Sequence, residues 1–139
     1  MLLKNRPLQV MIVVFSLSLG AYTQDKATCT NATLHGSYGL HAAGTVTGVG
    51  DFAAVGRFSF DGNGNLKGKL FVRVADSNVE PPLFTGTYSV SPDCTVTDSW
   101  GPPVNSTHVS VIVDQGKGYF ILNNTDGSGD TISGEAQKQ

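Results

Sequence analysis

The sequence lacks the residues on which several large classes of protein depend. Only 14% of its 139 residues are charged, and the formal net charge of −2 comes without any cluster of Lys and Arg. A mildly acidic chain with no basic patch argues against nucleic acid or an anionic membrane surface as a partner. No apolar run reaches the length of about 20 residues that a membrane-spanning helix needs.

Helical periodicity is also missing after the N-terminal segment. No stretch there repeats apolar residues every 3.6 positions over the length of a helix, so we expect almost no helix in the mature chain. In its place the sequence has 17 glycines and many Thr, Val and Ser residues. This composition is typical of β-strands joined by turns.

Cysteine is scarce, and the only two are Cys29 and Cys94. A structural zinc site needs more Cys or His at short spacing. An even count in an exported chain instead predicts one disulfide, with free thiols as the alternative. The chain-entropy model gives about 4 kcal/mol for closing a loop of this length.

The N-terminus has the layout of a secretory signal peptide. Lys4 and Arg6 precede an apolar run over 10–15, and the small residues Gly20 and Ala21 follow. This order of charged, apolar and small segments is that of a cleaved signal, although an uncleaved anchor is an alternative. Loss of Lys4 and Arg6 takes the formal charge from −2 to −4.

These features divide the chain into three parts. We predict a signal peptide over 1–21 with cleavage within 20–23, a polar lead-in over 22–32, and one domain over 33–139. The protein is then secreted, either to the periplasm or to the outside of the cell.

Eight segments show the signature of strands, in which apolar and polar residues alternate. The predicted strands are 33–47, 52–60, 66–74, 83–90, 94–100, 107–114, 119–123 and 131–136. Pro81 and Pro82 predict that 75–82 is a loop. The clearest unit is the hairpin Phe52 to Gly68, whose 61–65 turn is rich in Gly and Asn.

Short strands joined by tight turns favour an all-β fold with one antiparallel, mostly up-and-down sheet. Such a sheet loses its exposed edges by closing, so we predict an eight-stranded barrel. A two-sheet β-sandwich is the alternative, because it carries the same signals. The interior of an eight-stranded barrel is filled by side chains or holds one small ligand.

Three segments carry a resemblance to a known group of proteins. They are Leu34 to Gly39, Phe52 to Asn65, and Gly86 to Thr95. They resemble small secreted, mostly uncharacterised proteins with an allene-oxide-cyclase-like, calycin-type barrel, over roughly 28–136. The resemblance implies the barrel architecture and a lumen that either binds an apolar molecule or acts on one as a cyclase or isomerase. No catalytic residue of such enzymes matches a position here, so the resemblance leaves activity open.

Two Gly-rich turns resemble the opening of a calcium loop, because they alternate oxygen ligands with glycines. Their candidate ligands are Asp61, Asn63, Asn65, Asp126 and Asp130. Both lack the Gly at the sixth position and the Glu at the twelfth that an EF-hand requires. We therefore interpret both as hairpin turns and predict no metal and no cofactor.

The spacing of the three histidines does not predict a zinc site. His35 and His41 are nearly 20 Å apart along an extended strand, and His108 lies on a later strand. We expect all three to be unlinked residues on polar faces of the sheet.

No Gly-x-Ser-x-Gly elbow supports a hydrolase. The large aromatic residues, among them Trp100, are expected in the core.

Charged residues within strands are the candidates for acid–base chemistry, namely Arg57, Asp98 and Glu135. An inward Arg–carboxylate pair would polarise a ligand, but we expect these charges to face solvent.

Asn31, Asn105 and Asn123 fit the N-glycosylation pattern, which matters only in a eukaryotic host.

The sequence therefore predicts a secreted barrel that binds a small apolar molecule in its lumen without catalysis. One alternative is a cyclase or isomerase that acts on an apolar substrate in the same lumen. Another is a structural or surface-interaction protein with a filled core. A lumenal void of about 300 Å³ or more favours the first two over the third.

Overall fold

The structure is a computed structural model that describes residues 28–139. The predicted signal peptide and the first part of the lead-in lie outside the described residues. Nine strands and two three-residue 3-10 turns, Asn31–Thr33 and Asp114–Gly116, make up the regular structure of the described part. The strands are β1 His35–Val46, β2 Gly50–Asp61, β3 Asn65–Val74, β4 Ser77–Val79, β5 Phe84–Val90, β6 Thr95–Trp100, β7 Ser106–Val113, β8 Gly118–Asn123 and β9 Thr131–Lys138.

The sheet closes into an antiparallel barrel of eight strands. Successive strands of the ring pair with each other, and β9 returns to pair with β1. The β2–β3 pairing completes the ring. The predicted barrel is therefore confirmed, and the sandwich alternative is not adopted.

A short strand lies outside the ring, where the sequence predicted only loop over 75–82. Ser77–Val79 turns back on β3, with Val79 opposite Val72. Three exposed residues are too few to show alternation, and Pro81 and Pro82 end the pairing soon afterwards. The strand places the segment that follows it beside one end of the barrel.

The predicted hairpin forms with its faces as expected. Ala54, Phe58 and Phe60 of β2 point inward and are buried, while Arg57 between them is exposed. Phe58 lies opposite Gly68 of β3. A Cβ at Gly68 would collide with the rings of Phe58 and Phe84, so this position has room only for glycine.

Side chains fill one half of the barrel interior. Four aromatic rings meet there, with Phe60 5.4 Å from Tyr38, 5.0 Å from Tyr88 and 5.7 Å from Tyr119, measured between centroids. The Tyr38 hydroxyl donates to the Gly116 carbonyl at 2.5 Å, and the Tyr88 hydroxyl donates to the Leu34 carbonyl at 2.9 Å. The buried phenols are thereby satisfied by the turns that cover this end.

A disulfide between Cys29 and Cys94 fastens the lead-in to this packed end. The Cys29 amide also donates to the Pro92 carbonyl at 3.3 Å. The predicted disulfide is confirmed, and no cysteine among the described residues is free. Together with the Asn31–Thr33 turn, it closes the barrel at this end.

The first prediction concerns this link. Replacing both Cys29 and Cys94 with Ala should lower the free energy of unfolding by about 3–4 kcal/mol, because the 65-residue separation makes the loop it removes a long one. Chemical denaturation of the double variant and of the oxidised wild type measures this difference. Reduced wild-type protein is the matched control and should resemble the variant. Equal stability of all three forms would contradict the prediction.

Candidate functional site

The other half of the barrel holds a cavity of about 600 Å³ that opens at the end away from the disulfide. Side chains from β1, β2, β3, β6, β7, β8 and β9 line it, together with the segment that follows β4. The lining residues are Leu40, Ala42, Val46, Phe52, Ala54, Leu70, Val72, Val74, Val79, Glu80, Pro81, Pro82, Trp100, Pro103, Val104, Ser106, His108, Ile121, Asn123, Asp130, Ile132 and Ser133.

The wall of this cavity is apolar on the side of the first three strands. β1, β2 and β3 contribute Leu, Ala, Val and Phe side chains without a single polar group. β6 and β7 on the opposite side supply Trp100, Ser106 and His108. The cavity is thus an apolar chamber with polar groups along one wall, the usual character of a small-molecule site.

A buried, hydrogen-bonded Asp–His pair lies at the inner end of this polar wall. Asp98 of β6 and His108 of β7 are direct cross-strand partners, and the alternation of both strands turns them inward. Their side chains are only 5% and 8% exposed, and Asp98 Oδ1 lies 2.7 Å from His108 Nδ1. His108 lines the cavity, whereas Asp98 lies behind it. Asp98 is therefore placed to orient the imidazole and not to contact a ligand.

Burial raises the pKa of the Asp98 carboxyl above its ordinary value, and the hydrogen bond from His108 opposes that rise. The Trp100 indole N–H also favours the charged carboxylate. Its geometry is too loose to count as a hydrogen bond, because Trp100 Nε1 has no partner among the described residues. Desolvation is the larger effect, so the charged carboxylate is held at an energetic cost.

Trp100 forms the floor between the cavity and the packed half. Its ring lies 3.9 Å from that of His108, 4.7 Å from Phe58 and 5.4 Å from Phe84, measured between centroids. The Ser106 hydroxyl, on the cross-strand partner of Trp100, is buried and, like Trp100 Nε1, has no hydrogen-bond partner within residues 28–139. The floor therefore carries more polar groups than the protein itself satisfies.

The segment after β4 is tied across the mouth of the cavity. Lys69 Nζ lies 2.8 Å from Glu80 Oε1 and donates to the Pro81 carbonyl at 2.9 Å. Asp130, on the other side of the mouth, accepts a hydrogen bond from the Thr47 amide at 2.9 Å. The rim is thus acidic on two sides, and Lys69 beside it is paired with Glu80.

The structure separates the three acid–base candidates. Arg57 and Glu135 lie on the outer surface and are exposed, as expected. Asp98 does not face solvent, and the expectation that it would is wrong. Its parity on β6 is shared with the buried Val96 and Trp100, and this parity is the signal that could have placed it inside.

His108 is the functional candidate that the sequence reasoning missed. His35 and His41 are exposed as expected, but His108 is buried and linked to Asp98, so the expectation of an unlinked polar-face residue is wrong for it. On β7 the residues that point inward are His108, Ser110 and Ile112, while Val111 is exposed. The apolar face of this strand lies outside the barrel, which reverses the usual assignment of faces.

The candidate calcium ligands lie in turns and form turn hydrogen bonds. Asp61 Oδ1 accepts from the amides of Asn63 at 2.7 Å and Asn65 at 3.0 Å, and Oδ2 accepts from Asn65 Nδ2 at 2.7 Å. These bonds lower the pKa of Asp61. Asp126 is exposed in the second turn, and no group of metal-ligating side chains occurs within 28–139.

The three glycosylation candidates differ in what their side chains do. Asn31 Oδ1 accepts from the Val90 amide at 2.8 Å, and Asn123 Oδ1 accepts from the Thr125 amide at 3.1 Å. Asn105 is exposed in the turn between β6 and β7. Of the three, Asn105 is the most exposed, and Asn31 and Asn123 are half-buried.

Comparison with known proteins assigns this chain to no family. No protein-family model matches the chain, and no curated protein matches it. A solved structure described as a de novo design of a fluorescence-activating beta barrel aligns with 77% of this chain and 94% of its own, with a TM-score of 0.47 and 10% identity. A likeness at that level carries no argument about function.

The second prediction concerns the charge at the cavity floor. Because the folded state raises the pKa of Asp98 above 3.8, the stability associated with its neutral form is complete below that pH and is lost as pH rises through the raised value. The free energy of unfolding of wild type should therefore fall relative to that of Asp98→Asn over this window and then level off. Denaturant titrations of both proteins across the acidic range measure the difference. The same substitution at the exposed Asp51 is the control, and an equal pH-dependent difference there would refute the assignment.

Proposed function

We propose that this protein is an exported barrel that binds a small, largely apolar molecule in its lumen without catalysis. The observation that carries the proposal is the cavity of about 600 Å³ with its apolar wall and open end. Ligand pockets in proteins measure about 300–1,000 Å³ and are mostly apolar, with a few placed polar groups. The chamber matches that description in size and in chemistry.

The division of the barrel into two halves favours binding over a purely structural role. The packed half already contains the aromatic cluster, the disulfide and the covered end. A filled core would continue that packing through the lumen, because unfilled volume weakens a protein. An open chamber beside polar groups without partners is better explained by an occupant.

Export is supported by the disulfide, which persists in oxidising compartments. No helix in the described part of the chain is long and apolar enough to cross a membrane. The signal peptide over 1–21 and its cleavage within 20–23 belong to this proposal. Kinship with the allene-oxide-cyclase-like, calycin-type proteins also stays a prediction.

A second candidate function is an isomerase of an apolar unsaturated ketone, and the Asp98–His108 pair is the observation that favours it. Asp98 holds His108 Nδ1 at 2.7 Å, an arrangement that orients Nε2 for proton transfer. In the state with Nε2 unprotonated, His108 would remove a proton from the carbon next to the carbonyl and return it at the far end of the shifted double bond. The isomerisation needs no second reactant, because the proton that is removed is replaced in the product.

The third prediction tests occupancy of the chamber. Ala54 lines the cavity and is buried, whereas its neighbour Ala53 is exposed on the outer face of β2. Ala54→Trp should fill the chamber and lower the affinity for apolar probes by more than about tenfold, since the volume for them is lost. Ala53→Trp is the matched control and should bind as wild type does.

Fluorescence titration with an apolar dye, together with native mass spectrometry of protein purified from its host, measures the effect. Circular dichroism of both variants checks the fold. Equal binding by both variants would place the probe outside the lumen and contradict the proposal.

The fourth prediction separates binding from isomerisation. An isomerase would move deuterium from heavy water into a β,γ-unsaturated methyl ketone and produce the conjugated ketone, which absorbs in the ultraviolet. His108→Met should abolish both signals while the ketone still binds. If the protein binds its ligand without catalysis, deuterium incorporation and formation of the conjugated ketone should be no faster with wild type than in buffer alone. Deuterium exchange that depends on His108 would instead establish the second candidate.

A further inference from the structure

The polar wall of the chamber allows its occupant to be specified further, on the basis of the proposed binding function. The polar side chains that line the inner end are His108 and Ser106, and their neighbours Asp98 and Trp100 lie at or below the floor. His108 Nδ1 is taken by Asp98, so Nε2 is the ring nitrogen left for a ligand. Ser106 lines the cavity, and its hydroxyl has no hydrogen-bond partner within residues 28–139.

The protonation state of the Asp98–His108 pair decides whether His108 Nε2 donates or accepts a hydrogen bond. With an ionised Asp98 and a neutral His108, the pair carries one negative charge and Nε2 is an acceptor. Adding one proton makes the pair neutral overall. That proton either completes the imidazolium or rests on Asp98 with the histidine proton moved to Nε2, and in both arrangements Nε2 bears a hydrogen.

The surroundings favour the neutral pair. Both side chains are more than nine-tenths buried, and a net charge in such a place is costly when no opposite charge accompanies it. Tyr119, the other titratable group that acts on Asp98, stays neutral because burial raises its pKa. No Lys or Arg within residues 28–139 lines the cavity to balance a negative pair. The inner end of the chamber therefore presents hydrogen-bond donors.

The same distribution of charge disfavours an anionic ligand. A carboxylate at the inner end would give the buried pair and its ligand a net negative charge, and it would enter between Glu80 and Asp130 at the mouth. Lys69 at the rim is already paired with Glu80. A net negative charge without a balancing cation is costly in an apolar chamber.

We propose that the ligand is an uncharged apolar molecule with one carbonyl oxygen, which accepts hydrogen bonds from His108 Nε2 and the Ser106 hydroxyl at the inner end of the chamber. The remainder of the molecule lies against the apolar wall of β1, β2 and β3. Ketones, aldehydes and esters with a long or bulky hydrocarbon part belong to this class.

Three probes of equal chain length test the proposal on the disulfide-bonded protein: a long-chain methyl ketone, the corresponding alkane and the corresponding carboxylate. Each displaces an apolar dye from the chamber in a competition titration. The ketone should bind about tenfold more tightly than either of the others, because the alkane accepts no hydrogen bond and the carboxylate brings an unbalanced charge into the chamber. The infrared carbonyl band of the bound ketone should lie at lower frequency than in a hydrocarbon solvent.

Variants assign the two donors. Ser106→Ala and His108→Met should each weaken ketone binding several-fold and leave alkane binding unchanged, while His108→Gln, which keeps an N–H, should retain most of the affinity. Ser99→Ala is the matched control, since Ser99 is exposed on the outer face of β6. The infrared band should move towards its hydrocarbon value in the first two variants and stay in place in the control.

The outcomes distinguish this inference from the function on which it rests. Equal binding of ketone and alkane, or tighter binding of the carboxylate, would overturn the inference while leaving lumenal binding intact. Binding of none of the three, with the dye unaffected by Ala54→Trp, would overturn both.

Discussion

Closure of the sheet is the constraint on which the rest of the structure depends. Once β1 pairs with both β2 and β9, and β2 pairs with β3, each strand has a neighbour on either side and its register is set. The pleat then sends alternate residues to the lumen and to solvent, so a shift by one residue would exchange the two faces. Asp98 and His108 are buried together for this reason, and not because either favours an apolar place.

The closed barrel is used in two different ways along its axis. Near the disulfide, aromatic rings and satisfied phenols fill the interior as a protein core does. Beyond Trp100 the residues that point inward are mostly smaller, such as Ala42, Ala54 and Val72, and the chamber opens. The well-packed half supplies the stability that the hollow half lacks, so a site can exist in a chain of this size.

Much of this fold is predictable from the sequence, because alternation and turn residues are local signals. The strand and turn positions of the Phe52–Gly68 hairpin follow from them, and so does the burial of Phe58 and Phe60. β4 is not predictable in this way, since three exposed residues carry no period. His108 is missed for a deeper reason. On β7 the valines face outward and the polar residues face inward, so hydrophobicity points to the wrong side.

That reversal is itself the strongest argument that the lumen has a function. A barrel selected for stability alone would place apolar residues at 98 and 108, because replacing a buried ion pair with hydrophobic residues is often neutral or stabilising. Here the chain instead buries a carboxylate, an imidazole and hydroxyls without partners, while exposing Val111 and Phe120 on the outer surface of the same sheet. Each of these choices costs stability, and two of the groups, the imidazole of His108 and the hydroxyl of Ser106, belong to residues that line the polar wall of the chamber. Buried polar groups that lower the stability of the fold and occur at a cavity are better explained by ligand binding than by a structural role.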